Sequence, residues 1–492
     1  MTAFASPDTL VIAALVIPYA GALLIPLFRA RPNLRETVTL LAAALLFLAV
    51  VGIVVAVSTG ARLQATGPEV FAGVAFAFRV EPLGMLFALV ASSLWIVNSI
   101  YSIGYMRAHD EPRQTGYYVC FAIALGSTMG IAFAENLFTL FIFYEALTLS
   151  TYPLVTHDRG AEAMRSGRLY LMMLLGTSMV LLLPAIVATW AFSGTLSFTA
   201  GGILAGKASD AVIAMLLVLY VFGIGKAAVM PVHFWLPAAM VAPTPVSALL
   251  HAVAVVKAGV FTVMKVMVYV FGIDLLQQTT MSDILLYVAA FTVLAASLVA
   301  MAQDNLKRRL AYSTVSQLSY VVAGALLASQ LGVIGGSLQI AMHAVGKITL
   351  FFCAGAIHIA AHKTEVSELS GLGRAMPITF AAFLIGALSI IGLPPFGGMW
   401  SKWFLALGAL EAHQVAVLAV LMLSSLLNIA YLLPIPLRAF FGKARNGGHG
   451  DGGIHEAPLP CLIALSATAS GCVLLFFFAE PLYALVTAIP LR

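Results

Sequence analysis

The sequence predicts an all-α polytopic membrane protein, a single membrane domain over residues 1–492 with about 14 transmembrane helices. Three observations support this fold class. Hydrophobic residues make up 62% of the 492 residues and charged residues only 9%. Apolar runs long enough to cross about 30 Å of hydrocarbon recur from end to end. Lysine and arginine are concentrated in alternate connections between these runs.

Dividing the chain at its polar interruptions gives the apolar segments. They lie near 8–28, 36–57, 83–104, 116–134, 136–156, 168–193, 211–230, 243–271, 283–302, 309–329, 332–361, 377–404, 411–439 and 459–485. The first segment lacks a basic flank and a small-residue cleavage site, so it is interpreted as a retained helix and not as a signal peptide.

The basic residues predict the orientation. With the N-terminus outside, most of the 25 lysines and arginines fall in cytoplasmic loops, namely Arg29, Arg31, Arg35, Arg107, Arg113, Arg159, Arg165, Arg168, Lys307, Arg308, Arg309, Lys363, Arg374, Arg438, Lys443 and Arg445. The outer side receives only Arg62, Arg79, Lys207 and Arg492. This bias predicts a cell inner membrane protein with both termini on the outer, periplasmic side. It also accounts for the net charge of +5, which is therefore no sign of nucleic-acid binding.

The seventh and twelfth segments are predicted to be broken helices. The seventh contains Lys226 and then Met230-Pro231, and the twelfth contains Pro394-Pro395 followed by Lys402. Proline removes a backbone donor and disfavours helix at the residue before it. Paired interrupted helices in the two halves of a transporter indicate inverted repeats around a path at the bilayer midplane.

Six ionisable side chains lie inside the apolar segments: Glu145, Lys226, Lys257, Lys265, Lys347 and Lys402. Each charge at a bilayer centre costs about 3 kcal/mol on insertion scales. Desolvation and repulsion between like charges favour a neutral amine over an ammonium ion. A lysine that becomes neutral can exchange protons, whereas arginine stays charged. The lysines, with Glu145 as the only carboxylate among them, therefore predict an ion or proton path.

Histidines near these lysines are candidate relay groups. His343 and Lys347 are four residues apart, which places them on one helix face about 6 Å apart along the axis. His251 and Lys257 are six apart, about 9 Å on different faces, so they require water or a third group between them. His233 follows the seventh-segment break and is a candidate gate for Lys226.

Other polar residues are interpreted as structural. Lys265 lies near the end of its segment and is expected to extend to the membrane interface. His358 and His362 form an i, i+4 pair without an evident third metal ligand. His449 and Asp451 belong to a glycine-rich stretch that reads as a flexible loop. The four cysteines lie in separate segments without metal-ligand spacing.

No metal or organic cofactor is therefore predicted, and any redox chemistry would belong to partner subunits.

Five motifs carry a resemblance to a known family: FYEALTLSTYPLV (143–155), GKAAVMPVHFWLPAAMVAPTPVSALLHAVAVVKAG (225–259), DNLKRRLAYSTVSQLSY (304–320), HAVGKITLFFCAGA (343–356) and GLPPFGGMWSKW (392–403). The chain resembles the antiporter-like subunits shared by complex I, Mrp-type cation/proton antiporters and membrane-bound hydrogenases. The resemblance covers about residues 80–410.

The resemblance implies 14 helices, inverted five-helix repeats at 116–271 and 283–439, and a central hydrated axis. It also implies that Glu145 pairs with Lys226, that Lys257 and Lys347 relay protons, and that Lys402 is the exit. Two features depart from the family: Glu81 stands where an aspartate is usual, and Gly346 replaces a bulky residue.

The first functional hypothesis is a proton-translocating, cation/proton antiporter-like subunit of a multi-subunit complex. Its partners would be other membrane subunits, and its ions protons with or without Na⁺. The alternatives are a quinone-binding or redox-associated subunit of an NADH dehydrogenase- or hydrogenase-type complex, the membrane half of an inorganic-carbon transporter, and a structural subunit that has lost transport. The retained Glu145, Lys226, Lys347 and Lys402 argue against the last of these.

Overall fold

The computed structural model describes residues 7–71, 73–443 and 453–491, which form a helical bundle with one β-hairpin. In this part of the chain 11 helices are long and apolar enough to cross a membrane. Two shorter apolar helices, Asp210–Gly223 and Pro377–Ile391, belong to the two segments predicted to be broken. The predicted all-helical membrane fold is confirmed.

The elements follow one another along the chain with short connections. In the first half they are α1 (Pro7–Leu24), α2 (Pro32–Ser58), β1 (Gln64–Phe71), β2 (Val74–Arg79), α3 (Pro82–Ala108), α4 (Gln114–Phe133), α5 (Leu137–Val155), α6 (Ala161–Thr177), α7 (Leu183–Ser193), α8 (Asp210–Gly223), α9 (Trp235–Ala238), α10 (Thr244–Ala248) and α11 (Val255–Val266). In the second half they are α12 (Ile273–Gln278), α13 (Thr280–Ala302), α14 (Leu306–Leu326), α15 (Gln330–Ala361), α16 (Pro377–Ile391), α17 (Gly398–Glu411), α18 (Val415–Leu432), α19 (Pro434–Phe441), α20 (Leu459–Phe477) and α21 (Glu480–Thr487).

Both predicted breaks are present. α8 ends at Gly223 and is followed by a 3₁₀ turn at Gly225–Ala227, after which regular helix resumes only at α9. α16 ends at Gly392, which has a φ of +89°, and α17 begins at Gly398. Each of the 14 predicted segments overlaps one helix or one broken pair. The number that crosses the bilayer and the inverted repeats stay predictions.

A third irregularity, which the sequence did not predict, interrupts the eighth segment. A π-turn at Leu249–Val253 follows α10, and Ala254 then leaves helical geometry before α11 begins. A second π-turn at Met267–Phe271 ends the segment. π-turns inside helices are frequent at functional sites. No proline marks this break, so the sequence carries no signal for it.

The hairpin of β1 and β2 is a local departure from the all-α prediction. The strands pair antiparallel from Gln64 opposite Arg79 to Phe71 opposite Val74. The hairpin is tied to the turn before α5, because the Glu135 N–H donates to the Ala77 carbonyl at 2.9 Å. The strands are short and lie between two long apolar segments, whose helical signal dominates the sequence pattern.

The centre of the bundle is the stretch from α10 through α11 together with α15. The most apolar 18-residue window of residues 244–271 is wholly buried by protein, and that of α15 is 94% buried. Gly259 lets α11 approach the seventh-segment break, since a Cβ there would collide with the Lys226 backbone. The outer helices α1, α2 and α20 are only about one-third buried, as expected for helices that face lipid.

Candidate functional site

Glu145 lies in the middle of α5 with its side chain buried. The helix begins at Asn136, whose side chain caps it by accepting a hydrogen bond from the Thr139 N–H at 2.8 Å. Tyr144 and Thr148 are four residues apart and share the helix face beside Glu145. α5 therefore presents a carboxylate, a carbonyl and a hydroxyl close together inside the bundle.

Lys226 lies in the 3₁₀ turn of the seventh-segment break and is wholly buried. Its Nζ donates to the Tyr144 carbonyl at 2.8 Å and to the Thr148 hydroxyl at 2.6 Å. The same nitrogen lies 3.2 Å from the centroid of the Tyr144 ring, a cation–π contact. The helix break thus brings the amine against α5.

The direct ion pair predicted between Glu145 and Lys226 is not formed. The Lys226 ammonium faces the Tyr144 and Thr148 side of α5, and Glu145 is rotated about 100° from Tyr144 around the helix axis. The two groups still interact electrostatically across the intervening space. The resemblance identified these two residues, but the spacing of residues along one helix could not specify which atoms the lysine contacts.

Lys257 on α11 and His343 on α15 are in direct contact through Nζ and Nδ1, and both side chains are buried. The sequence had grouped His343 with Lys347 and had required a third group near Lys257. His343 is that third group, supplied by another helix. Its Nε2 has no hydrogen-bond partner among the described atoms. Packing of α11 against α15 creates this contact, so spacing along one helix gave no sign of it.

Lys347 and His251 lie on the other side of this contact. Lys347 is wholly buried, and its Nζ donates to the Leu310 carbonyl of α14 at 3.3 Å. The His251 ring packs 4.7 Å from the Phe351 ring, one turn along α15 from Lys347. Neither ring nitrogen of His251 is hydrogen-bonded within the described part of the chain. Buried polar atoms of this kind call for water, which no described atom replaces.

Gln339 links three helices one turn away from His343 and was missed by the sequence analysis. Its amide donates to the Gln317 Oε1 of α14 at 2.8 Å, and its Oε1 accepts from the Ser401 hydroxyl of α17 at 2.5 Å. All three side chains are buried. Because Ser401 precedes Lys402, this chain of amides connects the centre of the bundle with the twelfth-segment break. A buried glutamine pair at helical spacing was the only available signal.

Lys402 lies half-buried on α17, beside the break. Its Nζ donates to the Ile391 carbonyl at the end of α16 and to the Ser425 hydroxyl of α18, both at 3.0 Å. It also lies 5.0 Å from the Tyr320 ring centroid. The break thus frees a carbonyl group that accepts the lysine's hydrogen bond.

His233 lies two residues after the cis peptide bond between Met230 and Pro231, with its side chain buried. Its ring packs 4.2 Å from the Phe234 ring and 6.1 Å from the Tyr312 ring of α14. The position is compatible with the predicted gate beside Lys226, and that role stays a prediction.

Two expectations about charge are wrong. Lys265 does not extend to the interface, because its side chain is wholly buried and forms an ion pair with Glu81. Glu145 is therefore not the only carboxylate that faces a buried lysine. Glu81 immediately precedes α3 and is itself buried. The sequence places Glu81 at a helix end, where it reads as a solvated residue, and only the fold brings α11 to it.

Two polar cavities lie at opposite ends of α15. One, of about 710 Å³, reaches Ala354 near the end of that helix, about 10 Å along it from Lys347. It is lined among others by His109, Glu111, Asp158, Glu162, Asp304, Lys307 and His358. The other, of about 600 Å³, lies at Gln330 and the end of α17. Asp283, Glu411 and His413 are among its lining residues.

Within the described residues, no three His, Cys, Asp or Glu side chains converge as a metal site would require. His358 instead packs against the His109 ring at 4.9 Å, and His362 ends α15 with a φ of +54°. His449 and Asp451 lie outside the described residues.

Comparison with known proteins agrees with this geometry. Residues 134–428 match the family model described as NADH:quinone oxidoreductase/Mrp antiporter, TM. The chain is 32% identical to NADH-quinone oxidoreductase subunit N of Desulforudis audaxviator over 82% of each chain. It is 29% identical to a Na(+)/H(+) antiporter subunit of Alkalihalophilus pseudofirmus, over 86% of this chain and 55% of that protein.

The fold is also similar to solved structures. A chain in the Mrp complex from Dietzia sp. superposes with a TM-score of 0.86 at 23% identity, covering 98% of this chain and 97% of that one. At this identity the likeness shows the fold alone. The fold class predicted from the sequence is therefore supported by an independent comparison.

Proposed function

Because the chain belongs to the NADH:quinone oxidoreductase/Mrp antiporter transmembrane family, we propose that it translocates protons as one subunit of a multi-subunit membrane complex. The predicted family resemblance is confirmed. The chain is an integral membrane protein, and its relatives include subunits of quinone reductases and of a Na⁺/H⁺ antiporter. The partners would be further membrane subunits of such a complex.

The observation that carries the proposal is the row of buried ionisable side chains between the two cavities. Lys347, the Lys257–His343 contact and the Gln339 bridge follow one another along α15 from its inner to its outer half. Burying several amines costs far more than burying apolar side chains of the same size. A fold that keeps them in a line therefore indicates a transport path.

The Lys257–His343 contact supports proton transfer between helices. Two basic nitrogens in contact share one proton at low cost, whereas two protons would place like charges side by side. Moving that proton from the ammonium to the imidazole transfers the charge from α11 to α15. Lys226 can influence this step, because Gly259 brings the break against α11 and Glu145 interacts with Lys226.

Lys402 is the outward terminus in this proposal. From Lys402, α17 runs about 14 Å to Glu411, at the cavity that we assign to the outer side. The excess of basic residues in the loops at the other end supports cytoplasmic placement of the larger cavity and outer placement of both termini.

Lys257→Met is expected to lower proton transport by the assembled complex about 100-fold, because the relay loses a proton-exchanging group at its centre. Lys207→Met is the matched control, since Lys207 is exposed outside the bundle and should leave transport unchanged. Acidification of inverted membrane vesicles, at equal amounts of assembled complex, measures the effect. Transport at the wild-type rate by Lys257→Met would exclude the central relay.

A further inference from the structure

We propose that Glu81 and Lys265 form a second proton-exchange site, at the outer end of the first half of the chain, from which protons leave without passing Lys402. The inference rests on the proposed proton transport and adds a branch to it. The motivation is a buried ion pair that the path through Lys257, His343 and Lys402 does not use.

The pair is built by three separate parts of the chain. Lys265 lies near the end of α11 with no exposed surface, and Glu81 directly precedes α3. Besides Glu81, the Lys265 Nζ contacts the Ala134 carbonyl at 2.6 Å and lies 4.5 Å from the Phe198 ring centroid. One carboxylate and one carbonyl are therefore the polar neighbours of this ammonium among the described atoms.

The pair continues toward the outside. Ala134 is followed by Glu135, which forms a salt bridge of 3.6 Å with Arg79 at the end of the hairpin. The side chains of Glu135 and Arg79 are 27% and 40% exposed. A proton leaving Glu81 or Lys265 therefore has an acceptor with access to the surface a short distance away.

An aromatic pair closes the site on the inner side. Phe261 is four residues from both Lys257 and Lys265, so it lies between them on one face of α11. Its ring stacks on Phe87 of α3 with centroids 4.9 Å apart, and lies 5.6 Å from the Lys265 Nζ. In this structure the second site is thus separated from the central relay.

Opening this aromatic barrier requires α11 to shift or turn. The π-turns at Leu249–Val253 and Met267–Phe271 flank α11 on both sides. Such turns are irregular points at which helical register can change. α11 therefore has a point of adjustment at each end, with Lys257 and Lys265 on the segment between them.

The chemistry requires no further reactant. When the Lys265 ammonium gives a proton to the Glu81 carboxylate, one N–H bond breaks, one O–H bond forms, and the net charge of the pair stays the same. The neutral acid can then pass its proton toward Glu135, and the neutral amine can accept another from Lys257 once Phe87 and Phe261 separate. A purely structural pair would instead only fasten α3 to α11.

The test compares variants of the assembled complex in inverted vesicles. Lys265→Arg keeps the ion pair but removes proton exchange, since arginine stays charged. We expect Lys402→Met to retain about a tenth of wild-type transport, and the combination of Lys402→Met with Lys265→Arg to fall to the level of Glu145→Ala. Glu81→Gln with Lys265→Met, which leaves no unpaired charge, should have the same effect on the Lys402→Met complex.

Glu36→Gln with Arg107→Met is the matched control, because it removes another buried carboxylate and its partner away from the path. It should leave the residual transport of Lys402→Met unchanged. The proposal is overturned if Lys402→Met alone already has no more transport than Glu145→Ala, or if neither change at Lys265 lowers its residual transport. Normal transport by Glu145→Ala would instead refute the proposed function itself.

Discussion

Replacing Glu145 with alanine is expected to abolish proton transport while the complex still assembles. The substitution removes the negative charge that interacts with the buried Lys226 ammonium. That ammonium keeps its hydrogen bonds to the Tyr144 carbonyl and the Thr148 hydroxyl, so the fold around it is retained. Without the carboxylate, the charge on Lys226 can no longer be balanced during turnover. We expect transport to fall at least about 100-fold.

Glu145→Gln separates charge from shape, since it keeps the size of the side chain and removes its charge. It should behave as Glu145→Ala does. Glu480→Ala, at an exposed helix end, is the control for a lost carboxylate. Proton transport and the amount of assembled complex are measured on the same membranes. Full transport by an assembled Glu145→Ala complex would remove Glu145 from the path.

Lys402→Met is expected to cause the second largest loss, about tenfold, because it removes the terminal proton carrier. Lys402→Arg tests whether titration or charge matters. Arginine can still donate to the Ile391 carbonyl and the Ser425 hydroxyl, but it does not release a proton at neutral pH. If titration matters, both variants lose transport. If charge alone matters, only the methionine variant does.

Transport is measured as the initial rate of vesicle acidification, with Lys363→Met as the control for an exposed lysine. Normal coupled transport by Lys402→Met would exclude a role for Lys402 and would move the exit of this branch to Lys347. The arginine variant then needs no separate explanation, because the side chain would serve only to fill the break.

The sequence predicted those features of the fold that depend on local chemistry. Apolar length placed the helices, and the prolines at 231 and 394–395 placed two of the breaks. The π-turn before α11 escaped notice because backbone irregularity without proline or glycine leaves no local pattern. The hairpin escaped notice because its strands are short and packed against the turn before α5.

For the site, the sequence identified most of the residues but few of their partners. Lys257 and His343 were both selected, yet their contact joins two helices that are distant in sequence. Lys265 was expected at the interface because its position within the segment is visible, whereas Glu81 opposite it is not. Gln339 was not selected, because a single amide in an apolar helix has no pattern of its own.

The most direct measurement of the central claim is net proton flux through the purified complex in proteoliposomes, comparing Lys257→Arg with the wild type. Arginine preserves the charge at the centre of the bundle and removes its ability to exchange a proton. A relay of titrating side chains predicts that the assembled variant loses flux at every driving force applied. Wild-type flux through Lys257→Arg would contradict the account, since the buried lysine at its centre would then act only as a fixed charge.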